Sequence, residues 1–391
     1  MSETLLSCQL DAYAREVTTT VTGCTSIEDE FLVEVVDSVL YPGGGGQPED
    51  FGTIGDARVV AHLEASTTGH RYRVDQAVPC GEITVRLDWA RRFDHMQQHT
   101  AQHILSAVAL ARFGWTTLAF HLNPERSDLV LDGTLTPADL AVLEEAANEV
   151  IRQRRPVRMR VIEREDMEAE GVRCRLLPSG HTGPLRVVEI EGVDLNTCGG
   201  THVANTAELQ VIRIVAHEHQ KGQTRVHYLA GGRLLQDHRR AVTRARALNE
   251  LLSCGPDGQV EGVQRALQRV WDAERETKHL KKELAEGLGG ALQPDEHGII
   301  AYHRPGADMA FLNAVGGAIQ RARPDVVAFL TGGDGAAAGP FLILGPAERV
   351  SSVGPKVAKL LEGRGGGKGG RFQGKASRLE HRAQALSLFR D

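Results

Sequence analysis

The sequence predicts an α+β protein of several domains, and three observations lead there. Residues 8–90 hold β-branched and apolar runs separated by Gly, Asp or Ser clusters. Residues 99–111 and 136–153 carry apolar positions at helical spacing. Residues 298–361 alternate strand-like and helix-like segments. The 391 residues suffice for two or three domains with sizeable cores.

In the first part, residues 18–22, 31–36, 58–63 and 83–87 read as strands, and their spacing suits a small barrel over residues 1–92. Between them lie Ser38, Tyr41, Pro42, the glycine run Gly43, Gly44, Gly45 and Gly46, then Gln47 and Pro48. Such a run is either a flexible surface loop or a bare backbone whose N–H groups reach a phosphate, sugar or acyl group. The flanking prolines stiffen it, and Gln47 adds an amide suited to a polar ligand.

The second part, residues 93–232, opens on His99, Thr100, Ala101, Gln102 and His103. Ile104, Val108 and Ala111 extend a helical stripe, so the two imidazoles leave one face a turn apart. His95, one turn earlier, is an alternative ligand. Arg91 and Arg92 either meet phosphate or form a solvated face. Residues 136–153 predict a second helix with Thr136 as N-cap and Pro137 at its first position; Leu140, Leu143, Ala147 and Val150 share its buried face. Arg152, Arg154, Arg155, Arg158 and Arg160 follow, either as a cation-favouring helix end or as a phosphate contact. Residues 187–190 read as a strand leading through Asp194 to Cys198, Gly199, Gly200, Thr201 and His202. Residues 209–215 and 225–229 read as an antiparallel pair joined through Lys221 and Gly222.

Two nitrogens from a helix, with a sulfur and a nitrogen from a glycine-containing turn, suit one tetrahedral Zn2+ per chain, held by His99, His103, Cys198 and His202. A metallopeptidase is the poorer reading, because the Glu of an HExxH helix is absent here.

Residues 233–293 shift in composition. Val260, Val263, Leu267 and Val270 start a heptad-like stripe that Glu274 and Lys281 interrupt, which favours a helical arm over a long dimeric coiled coil. Residues 294–391 place strands at 298–302, 326–331 and 340–344, helices at 309–321 and 353–361, and then a glycine-rich stretch over 363–375. There Arg364, Lys368, Arg371 and Lys375 interleave with glycines as a phosphate cradle, and Phe372 is placed to stack on a base.

The pairing of HTAQH with CGGTH resembles the editing domain of alanyl-tRNA synthetase and its free-standing AlaX-type editing relatives. The segments over 8–16, 37–48 and 86–98 resemble the same family, with Ser38 where members commonly carry threonine. The C-terminal order resembles the DHH-associated domain that ends alanyl-tRNA synthetase. The resemblance implies four parts: an N-terminal β-barrel, a zinc-binding α/β editing domain, a helical arm and a C-terminal α/β DHH-associated domain. It implies a hydrolase that removes serine wrongly esterified to tRNA(Ala). Ser38 and Gln47 would form the catalytic set, Gly44, Gly45, Gly46 and Gln47 would bind substrate, and Arg364, Lys368, Arg371 and Lys375 would bind tRNA. Four protein ligands pose a question of their own, since a metal closed by four is usually structural and catalysis normally leaves a position open. A non-catalytic tRNA-binding or partner-regulating protein with a structural zinc is therefore the alternative.

Composition narrows the classes further. The net charge of −6 argues against non-specific nucleic-acid binding, so RNA contacts need local basic patches. No apolar run approaches the roughly 20 residues of a membrane helix. Met1, Ser2, Glu3 and Thr4 lack the basic start of a secretory signal. Six scattered cysteines read as reduced cytoplasmic thiols. A homodimer through the C-terminal region is a further expectation.

Overall fold

The computed structural model describes residues 7–63, 69–174, 184–333 and 338–390. Met1 to Thr4, read above for a leader, lie outside them. The chain divides into two compact units, Met1–Ala245 and Arg246–Asp391.

In the first unit α1 (Ser7–Leu10) precedes six strands: β1 (Glu16–Ile27), β2 (Glu30–Val35), β3 (Gly52–Ile54), β4 (Ala57–Leu63), β5 (His70–Val74) and β6 (Gly81–Leu87). They close an antiparallel barrel in the order β1-β2-β5-β4-β3-β6. Side chains alternate across each strand, so Val21, Val33, Val35, Ile54, Tyr72, Val74 and Val85 meet inside. The sequence did not disclose β3 or β5. The first has three residues, and in the second the inward Tyr72 and Val74 are interleaved with Arg71 and Arg73.

The long helix α2 (Trp89–Phe113) starts where the Asp88 carboxylate accepts from the Arg91 N–H, and stops at Gly114 in the left-handed conformation. It is buried from Arg92 to Ala109, apart from half-buried Phe93 and Asp94; Ala111, expected on its apolar stripe, is exposed beyond that stretch. Next come β7 (Thr117–His121), β8 (Ser127–Leu131) and α3 (Pro137–Arg152). Thr136 and Asp139 cap α3 reciprocally, and Leu140, Leu143, Ala147 and Val150 pack it into the same core as Met96, Ile104 and Leu105 of α2. The remaining strands are β9 (Val157–Ile162), β10 (Leu185–Ile190), β11 (Asp194–Thr197), β12 (Ile212–Gln220) and β13 (Gln223–Ala230). They build a three-stranded sheet, β11-β10-β9, and a four-stranded sheet, β12-β13-β8-β7.

Two basic segments behave differently from a free phosphate-binding face. Arg92 is fully buried and forms an ion pair with fully buried Asp50. It also donates to the Val39 and Ala12 carbonyls, so it is neither solvated nor open to RNA. Most of the arginines from 152 to 160 meet acids of this unit: Arg152 meets Glu145 and Glu149, Arg158 meets Glu191, and Arg160 meets Glu170 and Glu189. Arg158 and Arg160 also belong to a strand, β9, rather than to a helix end.

Helix α4 (Gly232–Leu252) contains the division between the units. The second unit holds α5 (Gln259–Ala291), β14 (Ile299–Arg304), α6 (Met309–Ala322), β15 (Val327–Gly332), β16 (Gly339–Leu344), α7 (Ala347–Leu360), β17 (Arg364–Gly366), β18 (Arg371–Ala376) and α8 (Arg382–Ser387). Its five strands run β14-β15-β16-β18-β17, with β14 parallel to β15 and the other pairs antiparallel. The glycine-rich stretch is thus a β-hairpin at the sheet edge. Glycine is needed on its inner face: a Cβ at Gly374 would lie 2.7 Å from Cζ of Phe341. Phe372 is in that core, stacked 6.1 Å from Phe341, so it does not offer its ring to a base. Val260, Val263, Leu267 and Val270 of α5 are exposed. No helix of the described residues is long and apolar enough to cross a membrane.

Candidate metal centre

The four residues singled out from the sequence converge. One donor atom from each of His99, His103, Cys198 and His202 lies within 4.8 Å of all the others. Two come from consecutive turns of α2, and two from the segment after β11. The three imidazoles are buried, Cys198 is half-buried, and Gly199 beside it is exposed. Sγ of Cys198 lies 3.4 Å from Nε2 of His99 and 3.2 Å from Nε2 of His202.

The outer contacts choose which nitrogen each ring presents. The Gln47 side-chain oxygen lies 2.8 Å from Nδ1 of His99 and also accepts from the Thr201 N–H at 3.0 Å. Oγ1 of Thr100 lies 3.1 Å from Nδ1 of His202. Oδ2 of Asp194 lies 3.1 Å from Nδ1 of His103. With every Nδ1 engaged outward, every Nε2 is left to point its lone pair at the centre. Asp194 is itself held by a two-pronged contact from Arg173, at 2.9 and 2.8 Å. This donor set and its oriented outer shell fit tetrahedral zinc.

Charges at the centre follow from the same contacts. Burial alone would raise the Cys198 thiol, but the rings of His99 and His202 and the hydrogen bonds with His103 and His202 hold it well below its ordinary value. Burial opposes a charge on His103, yet the bonds to Asp194 and Cys198 outweigh it and lift the ring to about 9. Burial and neighbouring His99 push His202 down to about 3. Without metal the same contacts favour the thiolate at Cys198 and the protonated ring at His103. Burial also takes His95 down to about 4, but His95 is no member of the cluster.

The glycine-rich segment reaches the site through Gln47, which is buried while Gly44, Gly45 and Gly46 before it are exposed. Gly44 and Gln47 exchange backbone hydrogen bonds at 3.0 Å, closing a tight turn. The Gln47 amide donates to Oγ1 of Thr201 at 2.8 Å. Two glycines mark close approaches. A Cβ at Gly46 would sit 2.4 Å from the Phe120 ring, which itself lies 5.6 Å from the His99 ring. A Cβ at Gly200 would sit 2.4 Å from the same imidazole. Ser38 is elsewhere: it is buried, its Oγ accepts from the Leu40 N–H at 3.1 Å, and its hydroxyl faces Tyr72. In the second unit Arg364, Lys368, Arg371 and Lys375 are all exposed, with Arg364 directly opposite Lys375 across the hairpin. Arg371 donates to Asn313 and Gln373.

Sequence reasoning missed the roles of Thr100, Arg173, Arg186 and Phe120, and named Asp194 only as lying between a strand and Cys198. Thr100 lay inside the motif itself, and a hydroxyl next to a ligating histidine was a readable signal. Arg186 and Phe120 come from strands whose pairing the sequence did not disclose, and Arg173 from an isolated bridge to Asn196 of β11.

Comparison with known proteins bears on this centre. The family model of the threonyl and alanyl tRNA synthetase second additional domain matches residues 185–227, which include Cys198 and His202. The chain is 40% identical to the alanyl-tRNA editing protein Aarsd1 of Mus musculus, over 98% of this chain and 97% of that one. It is 27% identical to the alanyl-tRNA editing protein AlaX-L of Pyrococcus horikoshii, over 72% of each. It is 31% identical to the alanine–tRNA ligase of Ignicoccus hospitalis, over 71% of this chain and 30% of that enzyme.

Proposed function

Because the chain belongs to the family of alanyl-tRNA editing proteins, we propose that it hydrolyses the ester joining serine to the 3′ end of tRNA(Ala), acting in trans in the cytoplasm. The observation that carries this is the convergence of His99, His103, Cys198 and His202, with each imidazole held at Nδ1, in a chain that matches editing proteins end to end.

An aminoacyl ester is intrinsically labile, so the site has to place water and stabilise developing oxyanion charge. When bound at these four atoms, zinc supplies a Lewis acid. Gln47 holds the His99 ring in the required tautomer. Gly44, Gly45 and Gly46 present bare backbone to the 3′-terminal nucleotide and its acyl group. Ser38, the candidate polar partner of the seryl hydroxyl at the head of the glycine-rich segment, would have to exchange its contact with the Leu40 N–H to fill that role. The need for such a protein follows from binding energetics. A hydrophobic pocket rejects an added hydroxyl poorly, so serine leaks past a site built for alanine. A site built around that hydroxyl rejects alanine, because a buried polar partner is left unpaired.

The C-terminal residues 294–391 are assigned as the DHH-associated, tRNA-binding part, through Arg364, Lys368, Arg371 and Lys375. Self-association of two chains through the same region belongs to this reading; light scattering of the purified protein tests it. One observation favours the alternative of a non-catalytic RNA-binding protein: four protein donors complete a tetrahedral shell, as structural zinc sites do. Incubating the purified protein with Ser-tRNA(Ala) and Ala-tRNA(Ala) separates the two. Release of serine in preference to alanine is expected, and it should disappear together with bound zinc in a Cys198→Ala, His103→Ala double variant. Binding of tRNA without release of serine would leave the non-catalytic reading.

A further inference from the structure

Arg186, on β10, grips the turn that carries Cys198 from two directions. Its backbone carbonyl accepts from the Cys198 N–H at 3.1 Å. Its Nη1 donates to the carbonyls of Cys198 and Gly200, both at 2.7 Å, so one guanidinium nitrogen spans the turn. Nη2 reaches the Gln9 carbonyl at 3.4 Å, and Nε is buried without a hydrogen-bond partner among the described residues.

A half-buried guanidinium with its Nε sealed from water ordinarily faces a carboxylate, because an uncompensated buried charge is costly. Among the described residues Arg186 has no carboxylate partner. The groups whose charge it feels are Cys198, Tyr41 and Cys8. Tyr41 and Cys8 are buried and keep their protons. A cysteine that ligates a metal is a thiolate. Cys198 as ligand is thus the negative charge that balances this cation. The turn has little freedom to settle elsewhere, since a Cβ at Gly200 would overlap both His99 and Gln47.

We propose that Arg186 is the positioning residue of the metal centre: its guanidinium clamps the turn of Cys198, Gly199 and Gly200 by two carbonyls and is the counter-charge to the Cys198 thiolate. It thereby sets both the affinity of the site and the geometry of the metal–sulfur bond. This rests on the reading of His99, His103, Cys198 and His202 as a metal site.

The test uses the full-length chain as wild type, Arg186→Met and Arg186→Lys. Zn2+ affinity is measured by competition with a chelating dye, and the thiolate-to-metal charge-transfer and d–d bands are recorded with saturating Co2+, alongside thermal melts. Outer-shell partners of metal ligands commonly hold about 10–100-fold of affinity, and a loss of that size is expected for Arg186→Met. Its Co2+ bands should also move, which a merely weakened fold would not cause at saturating metal. Arg186→Lys restores the charge but not the two-carbonyl fork, so it should recover part of the affinity while its bands stay displaced. Wild-type affinity and bands in both variants would overturn the proposal. Should Arg186→Met fail to fold, Arg186→Lys decides alone, and wild-type behaviour there overturns it. A wild-type chain that binds neither Zn2+ nor Co2+ would sink the metal reading itself and this proposal with it.

Discussion

At the residue scale the centre depends on which nitrogen each imidazole presents. Gln47 fixes this for His99, with its oxygen on Nδ1 and its amide spent on Thr201. Gln47→Leu removes both bonds and should lower zinc affinity by about 10–100-fold, with the apparent loss of esterase activity recovered at high zinc. Activity lost with unchanged zinc affinity would instead place the Gln47 amide on the substrate. A second prediction concerns protons. In the metal-free chain the bond to Asp194 helps raise His103 to about 9 from its ordinary 6.5. The raised value means that the protonated ring stabilises the metal-free fold fully below pH 6.5, and that this contribution is lost as pH rises through 9. A ligating imidazole is neutral, and the surroundings of Cys198 already favour its thiolate, so zinc uptake near neutral pH should expel about one proton. Calorimetry in buffers of differing ionisation enthalpy reads this directly, and a buffer-independent enthalpy would contradict it. The convergence of the four candidate donors was legible in sequence, because HTAQH and CGGTH carry them at helix and turn spacing. Asp194 with Arg173, and Arg186, were not. Their roles depend on β10 pairing with β11 and on the isolated bridge of Arg173 to Asn196, and pairing between distant segments leaves no local pattern.

At the element scale α2 does more than carry two ligands. Its N-terminal turn delivers Arg92 to the segments flanking the barrel strands, where Asp50, Val39 and Ala12 receive it. Asp50 also accepts from the Tyr41 N–H at 2.9 Å, next to the glycine-rich segment. This buried pair therefore ties the helix that carries His99 and His103 to the segment that supplies Gln47. Arg92→Met leaves the Asp50 carboxylate buried and uncompensated and should cost about 3–5 kcal/mol, read from urea unfolding of the first unit. A cost under about 1 kcal/mol, the size of an exposed pair, would mean that the pair is not sealed from water. Helix α3 shows the opposite case, an element readable to its first residue, because Thr136, Pro137 and Asp139 form a local capping signature. The arginine-rich stretch after it misled for the same reason in reverse. Its charges are local, but the glutamates that meet Arg158 and Arg160 include Glu189 and Glu191, which arrive from β10 and the turn after it.

At the scale of the molecule the division after Ala245 parts the candidate metal centre from the C-terminal cations. All four donors and the glycine-rich segment lie before it, and the exposed cations of the C-terminal hairpin lie after it. A cut near Gly232 would be too short, because Arg233 donates to the Asp94 carboxylate on α2 and to the Asn123 carbonyl. A fragment ending at Ala245 keeps those bonds. It should retain one zinc and hydrolyse a short seryl-ester mimic at the rate of the full chain. It should bind full-length tRNA more weakly, since Arg364, Lys368, Arg371 and Lys375 are missing along with Lys278, Lys281 and Lys282 of α5. Those contacts are to phosphate, so the advantage of the full chain should shrink as salt rises and counterions compete. The difference should appear in KM and leave kcat alone, because groups remote from the ester hold ground state and transition state equally. Deacylation of full-length Ser-tRNA(Ala) by both proteins, at two salt concentrations, makes the comparison. If the fragment matches the full chain at low salt, the second unit is not a tRNA-binding module. Its exposed stripe of Val260, Val263, Leu267 and Val270 would then become the feature to pursue, as a surface for another protein chain.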